Sequence, residues 1–300
     1  MTVKEATDAT RPAVSVGMPV YNGQKYLRQA LDALLGQTFR DFELIISDNA
    51  SQDATGAICQ EYASRDPRIR YFRQERTSSA QENFNFVLRQ ARGKYFMWAA
   101  ADDLWNARYI EALYETLESD PACVCAQGEH QVIDAEGNPV GEVRAFYELE
   151  HPSRLRRIRE IARGKTTHLF FYGLHRTALL QRHAVKPFHL VKKLANNSET
   201  RVLFYLVSAG TVRTNRAARF LYRAHKGSFS GKGVPVMGSL LIRTELIFTT
   251  AASVYQGSRS LYAALWAFCV SALFQTRASV SLLVRALLGR VPRVRESETS

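Results

Sequence analysis

Acidic residues are scarce in the second half of this 300-residue chain. Residues 151–300 carry 5 Asp and Glu against 25 Lys and Arg, while residues 1–150 carry 23 against 15. The formal net charge of +12 therefore joins an acidic front to a strongly basic back. A basic surface attracts polyanions such as nucleic acid, anionic lipid or phosphate-bearing substrates, or it serves solubility alone. Cysteine is scarce too. Cys59, Cys123, Cys125 and Cys269 give no disulfide framework, and no second Cys or His pair stands at zinc spacing. Cys123 and Cys125 read as buried thiols on one face of a strand, in a chain suited to reducing cytosol. Residues 1–13 are polar and lack an apolar core, which reads as a flexible start without a secretory signal. The longest uncharged stretch lies between Arg259 and Arg277. Its apolar heart, residues 261–274, is shorter than the roughly 20 residues of a spanning helix. Neither Gly-x-Gly-x-x-Gly after the first strand nor Gly-x-x-x-x-Gly-Lys-Ser/Thr occurs, so the usual dinucleotide and P-loop readings fail.

What is present is a globular composition, 46% hydrophobic and 23% charged, in a chain long enough to bury a sizeable core. Disorder, collagen and a disulfide scaffold are excluded. The front half alternates. Apolar, β-branched runs predict strands at residues 14–20, 43–47, 69–73 and 95–100 and from Val124 onward. Helical spacing predicts helices at residues 25–35, 53–64 (with Ser51 placed as its cap), 80–91 and 106–119. Such alternation means βαβ crossovers and a mostly parallel, Rossmann-like sheet with helices on both faces.

In sheets of this kind ligands bind beyond the carboxyl ends of the strands. Pro19-Val20-Tyr21-Asn22-Gly23 follows the first strand, Asp48-Asn49-Ala50-Ser51 the second, and Asp102-Asp103 the fourth. Three polar clusters thus converge on one edge. Two adjacent carboxylates at the mouth of an apolar strand repel each other and lose hydration, and a hard divalent cation relieves both problems. The competing reading of Asp102-Asp103 is an N-cap for the helix that follows. Asp48 accepts hydrogen bonds from a ligand, or it caps a turn.

The stretches Val16-Gly-Met-Pro-Val-Tyr-Asn-Gly, Phe42-Glu-Leu-Ile-Ile-Ser-Asp-Asn-Ala-Ser-Gln-Asp-Ala-Thr and Arg92-Gly-Lys-Tyr, followed by Asp102-Asp103, together resemble the family 2 nucleotide-sugar glycosyltransferases. These have the GT-A fold. The resemblance is strong from residue 14 to roughly 130 and weaker to roughly 230, which sets a GT-A domain at residues 14–230 and a basic, apolar helical extension at 231–300.

The resemblance implies roles. Pro19, Tyr21, Asn22 and Asp48 hold the nucleotide base, with the Tyr21 ring as a face and Asp48 as an acceptor for an imide N–H. Arg76 joins the donor site. Asp103 binds Mn²⁺ or Mg²⁺ and Asp102 reaches the ribose or sugar. Arg223-Ala224-His225 resembles the family's Arg-x-His segment, with Arg223 facing the phosphates and His225 a further metal or diphosphate ligand. The family inverts, so it needs a base, and the residue at that place is Glu199, ahead of an apolar helix. Its structural alternative is an N-terminal helix carboxylate. Tyr172-Gly173-Leu174 resembles the strand lining the acceptor side, and residues 223–232 are the expected closing segment. This chain departs from the pattern at Ala101, where a third acid is common, at Asn49-Ala50 for Asp-Gly, at Ser79 for Gly, and at Glu199 for Asp.

Residues 151–165 interleave Arg154, Arg156, Arg157, Arg159 and Arg163 with Leu155, Ile158 and Ile161. Residues 246–295 have no acid and repeat that pattern with six arginines. Apolar faces edged by Arg predict helices on an anionic membrane surface, at the inner face of the cell membrane. The alternative is packing on the catalytic domain or in a homodimer. The expected activity is single-sugar transfer from a UDP- or dTDP-sugar to a glycan or lipid-linked acceptor in cell-surface polysaccharide synthesis. The runner-up is an inactive nucleotide- or sugar-binding relative. Nucleic-acid binding finds no module here. A processive synthase would carry Gln-x-x-Arg-Trp and spanning helices, and a nucleotidyltransferase a Gly-rich loop at the first strand.

Overall fold

The structure, a computed structural model, describes residues 11–144, 149–162, 168–182 and 198–225. The expected extension at 231–300 and most of the expected closing segment lie outside these residues. Strands β1 (Val14–Val20), β2 (Phe42–Asp48), β3 (Ile69–Arg73) and β4 (Tyr95–Trp98) pair in parallel in the order β3-β2-β1-β4. Helices α1 (Leu27–Leu35), α2 (Thr55–Arg65) and α3 (Ala80–Gln90) make the crossovers. The predicted alternation is present, with strand and helix ends shifted by a few residues, as fraying ends allow.

Beyond β4 the sheet is mixed. The two-residue strand β5 (Leu104–Trp105) precedes α4 (Tyr109–Ser119), β6 (Cys123–Ile133) and β7 (Pro139–Arg144). Then come α5 (Arg154–Ala162), a 3-10 turn (His168–Tyr172), β8 (Leu174–Arg176), α6 (Thr177–Arg182), α7 (Ser198–Ala209) and β9 (Thr211–Arg223). The strand order continues β4-β8-β6-β9-β5, and β7 flanks β6. β8 runs antiparallel to both β4 and β6 and is the seam between the two halves. β9 runs parallel to β6 and antiparallel to β5.

Side chains alternate across the strands, so each face has its own core. Val14, Val16 and Met18 of β1 join Leu44, Ile46, Tyr95 and Met97 against α1 and α4. Ile45, Phe96 and Trp98 face the other way, with residues of α3, α5 and α7. Trp98 stacks on Phe171 at 3.9 Å. Cys59, Cys123 and Cys125 are buried free thiols, as expected. Burial pushes the Cys123 thiol up to about 11, so it stays protonated at neutral pH.

Three local readings are corrected. Ser51 does not cap α2, whose N-cap is Ala54; the hydroxyl instead accepts the Asn22 N–H at 2.9 Å. No helix follows Asp102-Asp103 directly, because β5 intervenes and α4 starts at Tyr109. The helix-cap reading of that pair therefore fails. And α5 does not offer its apolar face to a membrane. Ile158 and Ile161 are buried in the core that α7 shares, and Arg157 is buried as well, donating to Val207 O, His151 O and Pro152 O. Tertiary packing outbids an interfacial use of that stripe.

Candidate active site

The first two polar clusters are welded together. β1 and β2 end in register, Val20 opposite Asp48, and Asn49 N donates to Val20 O. Asn22 takes a left-handed conformation (φ 50), which Asn tolerates. Its amide bonds to Ser51 Oγ and its side chain accepts the Gln52 N–H. Gly23 N donates to Thr55 Oγ1 at 2.8 Å. Tyr21 is left half exposed, with its ring free to face a ligand, and Pro19 is buried in β1 beside Ser47.

Asp48 is completely buried and fully engaged. Ser51 N donates to Oδ1 at 2.8 Å; Tyr71 Oη and Arg73 Nη1 donate to Oδ2 at 3.0 and 2.8 Å. Tyr71 and Arg73 alternate on β3 and so reach the same face. Gly56 makes the approach possible, since a Cβ there would stand 2.7 Å from Arg73 Nη1. Sequence reasoning missed Tyr71 and Arg73; the period-2 pattern of β3 was the available signal. The loop carrying Arg76 is bracketed by Asn49, whose amide both donates to Ser78 O and accepts from Ser78 N. An Asp at 49 would lose the donating half. Ser79 caps α3 in a two-way box with Glu82. These two departures from the family pattern thus have structural uses. Arg76 itself is exposed, with no partner among the described residues.

The third cluster lies beside the first: a Cβ on Gly23 would sit 3.6 Å from that of Ala101. The β5–β9 ladder brings the end of β9 to the acidic pair. Asp103 is 1% exposed and its Oδ1 accepts the Arg223 N–H at 2.8 Å. Burial, and then the Asp102 carboxylate, push the Asp103 carboxyl well above the usual range; the Arg223 N–H and charge oppose this. Asp102 Oδ2 pairs with His225 Nε2 at 2.9 Å. Arg223 does not face an open cleft. It is fully buried, with Nε on Asp102 O, Nη1 on Asp134 O and Ala135 O, and Nη2 on Gln29 Oε1. Four of its five N–H donors are used within the protein and the side chain is buried, which argues against the expected phosphate contact.

Among the described residues no group of three or more His, Cys, Asp or Glu is set to hold a metal ion. Asp102, Asp103 and His225 do not form such a set, but the paired carboxylates have the chemistry that a hard cation takes when substrate phosphates complete its shell. A buried carboxylate with one donor and a like charge beside it is a place for a cation, and Mg²⁺ and Mn²⁺ commonly take one or two carboxylates plus substrate phosphates. Glu199 lies in the first turn of α7; its side chain falls outside the described residues. Tyr172 ends the 3-10 turn and stacks on Phe220 at 5.0 Å, while Leu174 opens β8 and is fully buried.

The family model "Glycosyl transferase family 2" matches residues 15–184, more than half of the chain. The chain is a family 2 glycosyltransferase by descent. "Glycosyltransferase GlyA" of Streptococcus pneumoniae is 27% identical over 225 residues, which are 72% of this chain and 31% of that protein. The chain thus spans about a third of that relative's length. The fold is of the GT-A type. S. aureus TarS in complex with UDP superposes with a TM-score of 0.65 at 16% identity, over 93% of this chain and 75% of that one. A mannosyltransferase from Pyrobaculum calidifontis, in complex with GDP-Man and Mn²⁺, superposes at 0.51 and 18% identity, over 96% and 82%. Family 2 membership agrees with what the strand-end motifs imply.

Proposed function

We propose that this family 2 member transfers one sugar from a UDP- or dTDP-linked donor to a hydroxyl of a glycan or lipid-linked acceptor, with inversion. The observation that carries the reading is the meeting of three polar strand ends on one edge, with Asp103 buried and short of donors. TarS, of the same fold, binds UDP, and the mannosyltransferase neighbour was solved with Mn²⁺.

In this reading Tyr21 covers the ring of the base, while Pro19, Asn22 and Arg76 shape the rest of that pocket; Asp48, buried and already bonded to Ser51, Tyr71 and Arg73, holds that edge in place and does not make the expected contact with an imide N–H. Asp103 and His225 would hold Mn²⁺ or Mg²⁺ together with the diphosphate, and Asp102 would reach the ribose or sugar. A cation bound there would draw charge from the departing diphosphate. Glu199 takes the acceptor proton as the oxygen attacks the anomeric carbon. Exposed Arg156 and Arg159 and the arginine-rich residues beyond 245 favour adsorption to anionic lipid. No helix among the described residues is long and apolar enough to cross a membrane.

The test is calorimetric titration with UDP, dTDP, GDP and CMP, with and without Mn²⁺, on wild type and Asp103→Ala. Binding of one diphosphate that needs both the metal and Asp103 supports the reading. Metal-independent or absent binding to all four overturns it in favour of an inactive relative. Co-sedimentation with phosphatidylglycerol vesicles at low salt tests the membrane step, and a protein left in the supernatant sinks it.

A further inference from the structure

Arg223 is a fully buried cation without a carboxylate salt-bridge partner among the described residues. Burying a charge is costly unless its hydrogen-bonding groups are met, and here carbonyl oxygens from separate segments meet them. Asp102 O is 2.8 Å from Nε; Asp134 O and Ala135 O, in the β6–β7 turn, are 3.2 and 2.9 Å from Nη1. Among the described residues the one side-chain acceptor is Gln29 Oε1, 2.7 Å from Nη2. The guanidinium also lies 4.6 Å from the Tyr26 ring centre, and that ring is 5.1 Å from the His225 ring.

Tyr26 and Gln29 are three residues apart at the start of α1 and so share a face. α1 is in turn anchored to the nucleotide segment, since Gly23 O accepts from both Tyr26 N and Leu27 N. One guanidinium therefore ties the segment at residues 21–23, through α1, to Asp102, to the β6–β7 turn and to the end of β9. Neither Gln29 nor Tyr26 follows from any motif, and Gln29 is exposed except at this contact.

We propose that Gln29 is a positioning residue: by fixing the Arg223 guanidinium it holds Asp102 and Asp103 in place for the metal–diphosphate group. This rests on the reading of the acidic pair given above. The planar fork of Arg needs all its acceptors to keep one orientation, and an unpaired arm frees it to turn. Partners of this kind commonly change metal affinity by about 10- to 100-fold.

The test compares Gln29→Met, which keeps length and helix propensity but no acceptor, with Gln29→Glu, which keeps the acceptor oxygen. Mn²⁺ binding is followed by electron paramagnetic resonance, alone and with UDP. Gln29→Met is expected to weaken Mn²⁺ by about tenfold, with kcat at saturating Mn²⁺ within about twofold of wild type. Gln29→Glu is expected to bind as wild type does. A second readout needs no ligand: hydrogen exchange at residues 134–138 and at the Arg223 amide should quicken in Gln29→Met and not in Gln29→Glu. Unchanged exchange in Gln29→Met overturns the proposal, as does wild-type Mn²⁺ affinity in that variant. Equal loss in both variants reduces Gln29 to a packing role and overturns it too. If wild type binds no Mn²⁺ with any of the four nucleotides, the metal reading falls and the positioning role falls with it. Faster exchange in Gln29→Met would then leave only a structural junction.

Discussion

The two halves of the sheet each end in a buried aspartate, and the two are in opposite states. In the parallel half Asp48 has three donors, from Ser51, Tyr71 and Arg73. In the mixed half Asp103 has one, the Arg223 N–H, and a second carboxylate beside it. The first group is satisfied before any ligand arrives. The second is not, and its burial makes the shortage expensive. A satisfied carboxylate and an incomplete charge site thus stand side by side on one edge, joined through Gly23 and Ala101.

The contrast can be broken most forcefully at Asp103. Asp103→Asn should abolish metal-dependent diphosphate binding and lower kcat/KM by at least about a hundredfold. Its metal-free form should melt no lower than wild type, because a poorly paired buried charge is gone. A large drop in melting temperature would show that Asp103 is paired after all.

The seam between the halves gives the next largest effect. His175 on β8 is fully buried, and burial lowers its pKa from 6.5 to about 4. The neutral form is therefore preferred in the folded state. Its stabilisation is complete above pH 6.5 and is lost as pH falls towards 4, by about 3 kcal/mol. Urea denaturation from pH 7 to 4 should show this slope in wild type and a reduced one in His175→Phe.

Asp48→Ala sharpens the comparison from the other side. It strands the Ser51 N–H and the Tyr71 hydroxyl and should destabilise by about 2 kcal/mol in chemical denaturation. Asp103→Asn should not; similar losses from both would erase the distinction. Ala50, beside Asp48, has φ 58, where Gly is at ease. Ala50→Gly should gain about 1 kcal/mol, read as a higher denaturation midpoint. The smallest effect belongs to Tyr26, whose buried hydroxyl has no partner among the described residues. Tyr26→Phe should change stability by less than about 0.5 kcal/mol while leaving the ring on Arg223.

Much of this was legible in the chain. The apolar, β-branched runs at residues 14–20, 43–47 and 69–73 and the helical spacing between them pointed to the parallel half, because buried runs and short crossovers leave few alternatives. The strand-end motifs named Tyr21, Asn22, Asp48, Asp102 and Asp103 as one edge. Less legible was the mixed half. β8 is only three residues long, and β5 only two. Such strands have too few side chains to show a period, and they exist because neighbours supply their hydrogen bonds. The stripe of α5 was equally ambiguous, since an apolar face edged by Arg suits a bilayer and a protein core alike; α7 took it.

By itself, then, the sequence determined the family, the parallel sheet, the carboxylates at its edge and the contrast between an acidic front and a basic back. These depend on local pattern and on which residue follows which strand. Only the tertiary structure decided the state of each charge. It put Arg73 on Asp48 through the gap at Gly56, and withheld such a partner from Asp103. It turned Arg223 inward onto Gln29 and three carbonyls. Those outcomes depend on contacts between residues as much as 194 positions apart, set by sheet register and helix placement, and a one-dimensional pattern does not carry that information.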